Sequence, residues 1–148
     1  MTMSFTNNKT YELWRAFMPR RKEIPNNIGE ELYSIEVYAP RYFNFFNPDS
    51  EFEKWAAMEV TDFETIPVTM ESITLPDGLY AVFIHTGPAN EGPRTYQNIF
   101  GSCLPASEYD IDNRPHFAVM GQKYKHEDPD SEEEIWIPVK PKNKEDRQ

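Results

Sequence analysis

The segment Thr10-Tyr-Glu-Leu-Trp-Arg-Ala-Phe-Met-Pro19 returns, altered, as Thr95-Tyr-Gln-Asn-Ile-Phe-Gly-Ser-Cys-Leu-Pro105. Leu13-Trp14 falls on Ile99-Phe100 and Pro19 on Pro105 at one offset (99 − 13 = 105 − 19 = 86). A repeat constrains the fold more than any single motif, because both copies must bury equivalent faces in one shared core. Each copy reads as a helix followed by two strands. The second has a further strand before its helix, where the first has only the stub of residues 1–5. The expected fold is α+β: duplicated β-α-β-β modules with pseudo-twofold symmetry and two main helices against an antiparallel sheet whose first edge strand is truncated. Module one covers about residues 1–65 and module two about residues 66–140.

The periodicities behind this reading are local. Tyr11, Trp14, Phe17 and Met18 follow helical spacing after the N-cap candidates Asn7-Asn8-Lys9-Thr10, and Pro19 ends or bends that helix. Residues 32–38 alternate, with Tyr33, Ile35 and Val37 on one face and Ser34, Glu36 and Tyr38 on the other, as in a half-buried strand. Residues 41–50 are aromatic and rich in turn formers, and 52–60 read as an ambiguous strand. Pro76-Asp77-Gly78 signals a turn into a strand over 79–85, a helix is expected over 95–104, and strands over 116–122 and 134–139. Residues 141–148 carry no large apolar side chain and are expected to form a disordered tail.

Composition excludes several functions. At 148 residues the chain is one domain's length, and 15 basic against 25 acidic residues give a formal charge of −10. Duplex DNA repels such a surface, and the densest basic run, Arg20-Arg21-Lys22, is followed at once by Glu23. Nucleic acid is not an expected partner. Neither is a membrane: the apolar runs are far too short to span one, and no signal peptide opens the chain. The single cysteine, Cys103, excludes an internal disulfide, and a reducing cytoplasm is the expected location. His85, His116 and His126 lack paired metal-ligand spacing, and no phosphate loop or nucleophile elbow is present. No metal and no cofactor are expected. Aromatics, 10 Phe, 8 Tyr and 3 Trp, are abundant enough both to fill a core and to line a cavity.

Four segments resemble the GyrI-like small-molecule-binding family: Phe17-Met-Pro-Arg-Arg-Lys-Glu-Ile24, Gly78-Leu-Tyr-Ala-Val-Phe-Ile-His85, Asp112-Asn-Arg-Pro-His-Phe117 and Ser131-Glu-Glu-Glu-Ile-Trp-Ile-Pro-Val-Lys140. That family is similar to the effector-binding domains of AraC-type and MerR-type multidrug regulators. The resemblance runs from about Met3 to Lys140, making residues 1–140 one effector-binding domain. It implies a ligand cavity between the two modules, for bulky, aromatic, often cationic compounds beside a buried acid in the last strand. With no room for a helix-turn-helix in front, the chain resembles the standalone, regulator-related forms. Two departures stand out: only Met1-Thr2 precede Met3 where a full first strand is usual, and Cys103 and Ala118 stand where relatives often carry Trp and Glu.

Glu134 and Trp136 share one strand face opposite Ile135, Ile137 and Val139. A carboxylate beside an indole suits an organic cation by charge pairing and cation–π attraction, unless that face is wet and Glu134 merely belongs to the acidic run 132–134. Trp55 matches Glu134 in the repeat (134 − 55 = 79), and Tyr38 can add a phenol; for both, plain core filling is the alternative. The ligand-binding expectation is therefore Glu134, Trp136, Trp55 and Tyr38 around a hydrophobic or cationic small molecule. Two alternatives stay open: a hydrolase of electrophilic, cyclopropane-type toxins with Glu134 as general base, and a protein-interaction module. The incomplete sheet edge also leaves a homo-oligomer open.

Overall fold

A computed structural model describes residues 1–45, 47–125 and 127–142. His126 and the expected tail from residue 143 onward lie outside the described residues. The elements are β1 (Thr2–Met3), α1 (Thr10–Phe17), β2 (Leu32–Val37), β3 (Phe52–Ala57), β4 (Tyr80–Thr86), α2 (Gly92–Asn98), β5 (Tyr109–Ile111), β6 (His116–Met120) and β7 (Glu132–Pro141). The main sheet runs β1-β3-β2-β6-β7-β4, antiparallel throughout, with β5 added to the far end of β7. Each half contributes its strands in the same internal order, β1-β3-β2 and β4-β7-β6. The halves meet where β2 pairs with β6, Ser34 opposite Ala118. That junction is the pseudo-twofold axis of two β-α-β-β modules.

β2 and β6 begin 84 residues apart (116 − 32), and on that alignment Ile35 matches Val119. Their β3 and β7 partners are Trp55 and Glu134, so the repeat match between these two holds in the sheet register. The first strand is the expected stub. β1 makes two registered pairs with β3, whereas β4 makes seven with β7.

Local chemistry explains most boundaries. The Asn8 side-chain oxygen accepts the Thr10 N–H at 2.9 Å at the start of α1. Pro19 falls in a 3-10 turn, Met18–Glu23, that takes over from α1 and carries Arg20-Arg21-Lys22. α2 starts earlier than its apolar periodicity suggests, because Pro93 fits the first turn, where no N–H is needed. It closes in a π-helical turn, Ile99–Cys103, where the Leu104 N–H reaches the Ile99 carbonyl at 2.9 Å. Gly78 has φ +154°, and a Cβ there would run into the Arg114 guanidinium. Arg114 is a clip: Nη2 donates to the carbonyls of Leu79 and Val139, Nε to Asp112, and the group lies 4.6 Å over the Tyr80 ring.

Both helices lie on one face of the sheet. Ile135, Ile137 and Val139 of β7 pack there with Ile99 and Leu104, backed by Ala81, Phe83, Tyr96, Phe100 and Ile111. Ile137 is fully buried and Ile135 is 1 % exposed. Module one is thinner, and no side chain of α1 is fully buried. β2 departs from the half-buried expectation. Ile35 is buried on one face and Ser34 and Glu36 on the other, because a central strand is covered on both sides. Among the described residues, no helix is long and apolar enough to cross a membrane.

Candidate functional site

The helical face of the two central strands carries an unusual set of side chains. Cross-strand pairing puts Ser34 and Glu36 of β2 on the same face as Lys54 and Ala56 of β3 and His116 and Ala118 of β6. The same face continues through Ile135 and Glu133 of β7 to Phe83 and His85 of β4. Glu36 is buried; its Oε1 accepts the Ser34 hydroxyl at 3.3 Å and lies 3.5 Å from Lys54 Nζ. Lys54 also donates to Thr10 Oγ1 at 3.2 Å, tying this pair to α1. Burial pushes the Glu36 pKa up, against the opposing pull of Lys54 and the Ser34 hydroxyl. Glu133 is likewise raised by burial, with His85 and Lys54 opposing, and has no hydrogen-bond partner among the described residues.

Aromatic groups enclose these acids. The hydroxyls of Tyr38 and Tyr96 are held well above the usual tyrosine range by burial first, then by the nearby Glu36 charge. The Glu133 charge raises the Tyr96 hydroxyl further. His116 is buried and its pKa is lowered to about 4, leaving a neutral ring at pH 7. Phe43 stacks on Phe100 (5.1 Å, 28°) and on His116 (5.3 Å, 22°), with Tyr38 edge-on at 4.9 Å. It comes from the turn-rich stretch 39–45, whose Tyr42 and Phe43 rings pack on Tyr38. Phe43 itself remains 38 % exposed, and the neighbouring Tyr42 hydroxyl is buried with no hydrogen-bond partner among the described residues. This packed cluster sets two carboxyl groups, both raised by burial, against one lysine.

The expected site residues divide between surfaces. Tyr38 lies in the cleft just described. Glu134 and Trp136 are adjacent, the indole N–H donating to Glu134 Oε1 at 3.2 Å, but they occupy the opposite sheet face and Glu134 is exposed. There Trp136 stacks on Phe117 (5.2 Å, 15°), with Tyr80 and Tyr33 against the same ring. Trp55 shares that face two strands away, its indole bound to Glu53. Glu134, Trp136 and Trp55 thus share the sheet face opposite the helices, and of the four only Tyr38 lies on the helical face. The isoleucine face packs on the helices as the alternation requires, and the acid it carries is Glu133. Sequence reading passed over Glu133, Glu36, His116 and Phe43. The available signal was Glu36 itself, an acid inside a strand with apolar neighbours on both sides.

An open groove of about 860 Å³ lies elsewhere, beside β3 between α1 and the connecting residues 62–75. The central cleft is occupied by its own aromatics, so volume and chemistry do not coincide. Among the described residues no cluster suited to a metal ion is present.

A duplicated β-α-β-β sheet with two helices on one face is the architecture of small-molecule effector-binding domains of the GyrI-like class. Residues 2–139 match the family described as Cass2, integron-associated effector binding protein, and the chain belongs to that family. It is also similar to the transcriptional regulator BrlR of Pseudomonas aeruginosa, 28 % identical over 129 residues, covering 86 % of this chain and 45 % of the relative. The chain thus spans less than half the length of that curated relative.

Proposed function

We propose that the chain binds a bulky, hydrophobic, cationic small molecule in the helical-face cleft. Glu36 and Glu133 supply the charge, and Tyr38, Tyr96, Phe100 and His116 supply the walls. One observation carries this reading: two carboxyl groups raised by burial share an aromatic-lined face with a single lysine. An organic cation relieves both by replacing lost hydration with charge pairing and cation–π contact. Phe43 fills the space now, and its remaining exposure fits an aromatic that gives way to a ligand's own ring. The four expected residues then have separate roles: Tyr38 contacts the ligand, while Glu134, Trp136 and Trp55 lie outside this cleft.

Native mass spectrometry with hydrophobic cations and electrophilic aromatics tests the reading. Intact 1:1 adducts with the cations are expected. Turnover of an electrophile to a hydrolysed product, without retained adduct, would instead identify a hydrolase.

A further inference from the structure

We propose that Lys54 is the built-in occupant of the effector cleft: its ammonium holds the place beside Glu36 that a ligand's cation takes, and its charge limits the site to singly charged ligands. This role rests on the effector reading of the cleft, and Lys54 then decides which cations enter. Glu36 lies on the central strand β2, and Lys54 is its cross-strand partner on β3. The contact between them is loose. Lys54 Nζ stands 3.5 Å from Glu36 Oε1, whereas a well-seated charge-assisted bond measures about 2.7–2.9 Å. The Ser34 hydroxyl donates to the same oxygen at 3.3 Å, so both contacts fall on one side of the carboxylate.

The other partner of Lys54 holds the ammonium no better. Nζ donates to the Thr10 hydroxyl at 3.2 Å, at the first residue of α1, where the helix dipole presents positive charge and disfavours a cation. Lys54 therefore stays for Glu36 and not for α1. Its side chain keeps 17 % exposure, so the ammonium can reach water by swinging on its flexible stem without any movement of the sheet. A hydrophobic cation makes the exchange favourable. The lysine ammonium is strongly hydrated and gains by returning to water, whereas a quaternary nitrogen gains from aromatic walls. Phe43 fills the aromatic part of the cleft in the same way as Lys54 fills its charged part. Charge balance sets the ligand class. When ionised, Glu36 and Glu133 carry two negative charges, and Lys54, which opposes the raised pKa of both, supplies one positive charge. One charge is left for the ligand, so a second cationic centre gains nothing while Lys54 remains.

The test titrates the full chain with benzyltrimethylammonium, with the dication para-xylylene-bis(trimethylammonium) and with neutral neopentylbenzene. Lys54→Met should bind the monocation about tenfold more tightly and gain still more for the dication, with neopentylbenzene nearly unchanged. In the Glu36→Gln background the same substitution should move monocation affinity by about twofold at most, because the ammonium acts through that carboxylate; a merely structural effect would carry over in full. A second readout needs no variant. In the wild-type chain with carbon-13-labelled lysine, the Lys54 ε-CH2 signal should shift with the monocation and stay in place with neopentylbenzene. Equal or weaker monocation binding by Lys54→Met, or a Lys54 signal that ignores the monocation, would overturn the proposal and leave the cleft itself standing. Monocation binding indifferent to Glu36→Gln would overturn the effector reading, and this role of Lys54 with it.

Discussion

Phe43→Ala separates a filler of the cleft from a fixed wall. Phe43 is 38 % exposed, so roughly three-fifths of its surface is buried, in ring contacts with Phe100, His116, Tyr38 and Tyr42. Removing a fully buried phenylalanine costs about 3–5 kcal/mol, so the partial burial here scales to about 2–3 kcal/mol. In a domain of this length that lowers the melting temperature by about 4–12 °C. Ligand affinity should move the other way. If the ligand has to displace the Phe43 ring, removing the ring returns part of that energy, and a hydrophobic cation should bind about three- to thirtyfold more tightly. Urea denaturation and fluorescence titration of one preparation give both numbers. The reasoning fails if affinity falls together with stability, because Phe43 would then be part of the binding wall.

Three further outcomes follow from burial and charge. His116 has its pKa lowered to about 4 in the fold against about 6.5 unfolded, so the unfolded chain binds more protons between these values; stability is full above pH 6.5 and falls toward pH 4, by up to about 3 kcal/mol from this residue. His116→Phe should lose that share of the acid sensitivity in urea midpoints measured across the window. Glu133 has the opposite sign: its raised pKa favours the neutral form, so its stabilisation is present below about pH 4.5 and lost as pH rises through the folded value. Glu133→Gln should therefore gain stability relative to wild type from pH 4 to pH 8, and no gain would show that Glu133 is well hydrated. Ile137→Ala, at the centre of the module-two core with no exposed surface, should cost about 2–5 kcal/mol in chemical denaturation.

The fold was legible because its signals are local and repeated. Pro19 and Pro105 bracket matching helices, residues 32–38 alternate, and Gly78 marks a turn that needs its positive φ. What escaped depends on neighbours distant in sequence. β5 is three residues long and exists by pairing with the end of β7, so no periodicity announces it. β2 read as half-buried because Ser34 and Glu36 are polar, yet its central place between β3 and β6 buries them. Alternation correctly put Glu134 and Trp136 on one face and the isoleucines on the other. It could not tell which face the helices cover, since that depends on how distant segments come to lie. Within the run Glu132-Glu133-Glu134, a shift of one position exchanges an exposed acid for a half-buried one on the helical face.

The most direct test of the effector cleft is a titration with a matched pair of ligands, a hydrophobic quaternary cation and its neutral isostere, against single carboxylate variants. Glu36→Gln and Glu133→Gln keep shape and remove charge, so each should weaken the cation by about tenfold or more and leave the neutral compound nearly unchanged. Glu134→Gln should change neither. Loss of the cation on Glu134→Gln, with full affinity kept by Glu36→Gln and Glu133→Gln, would place the site on the opposite face and contradict the account.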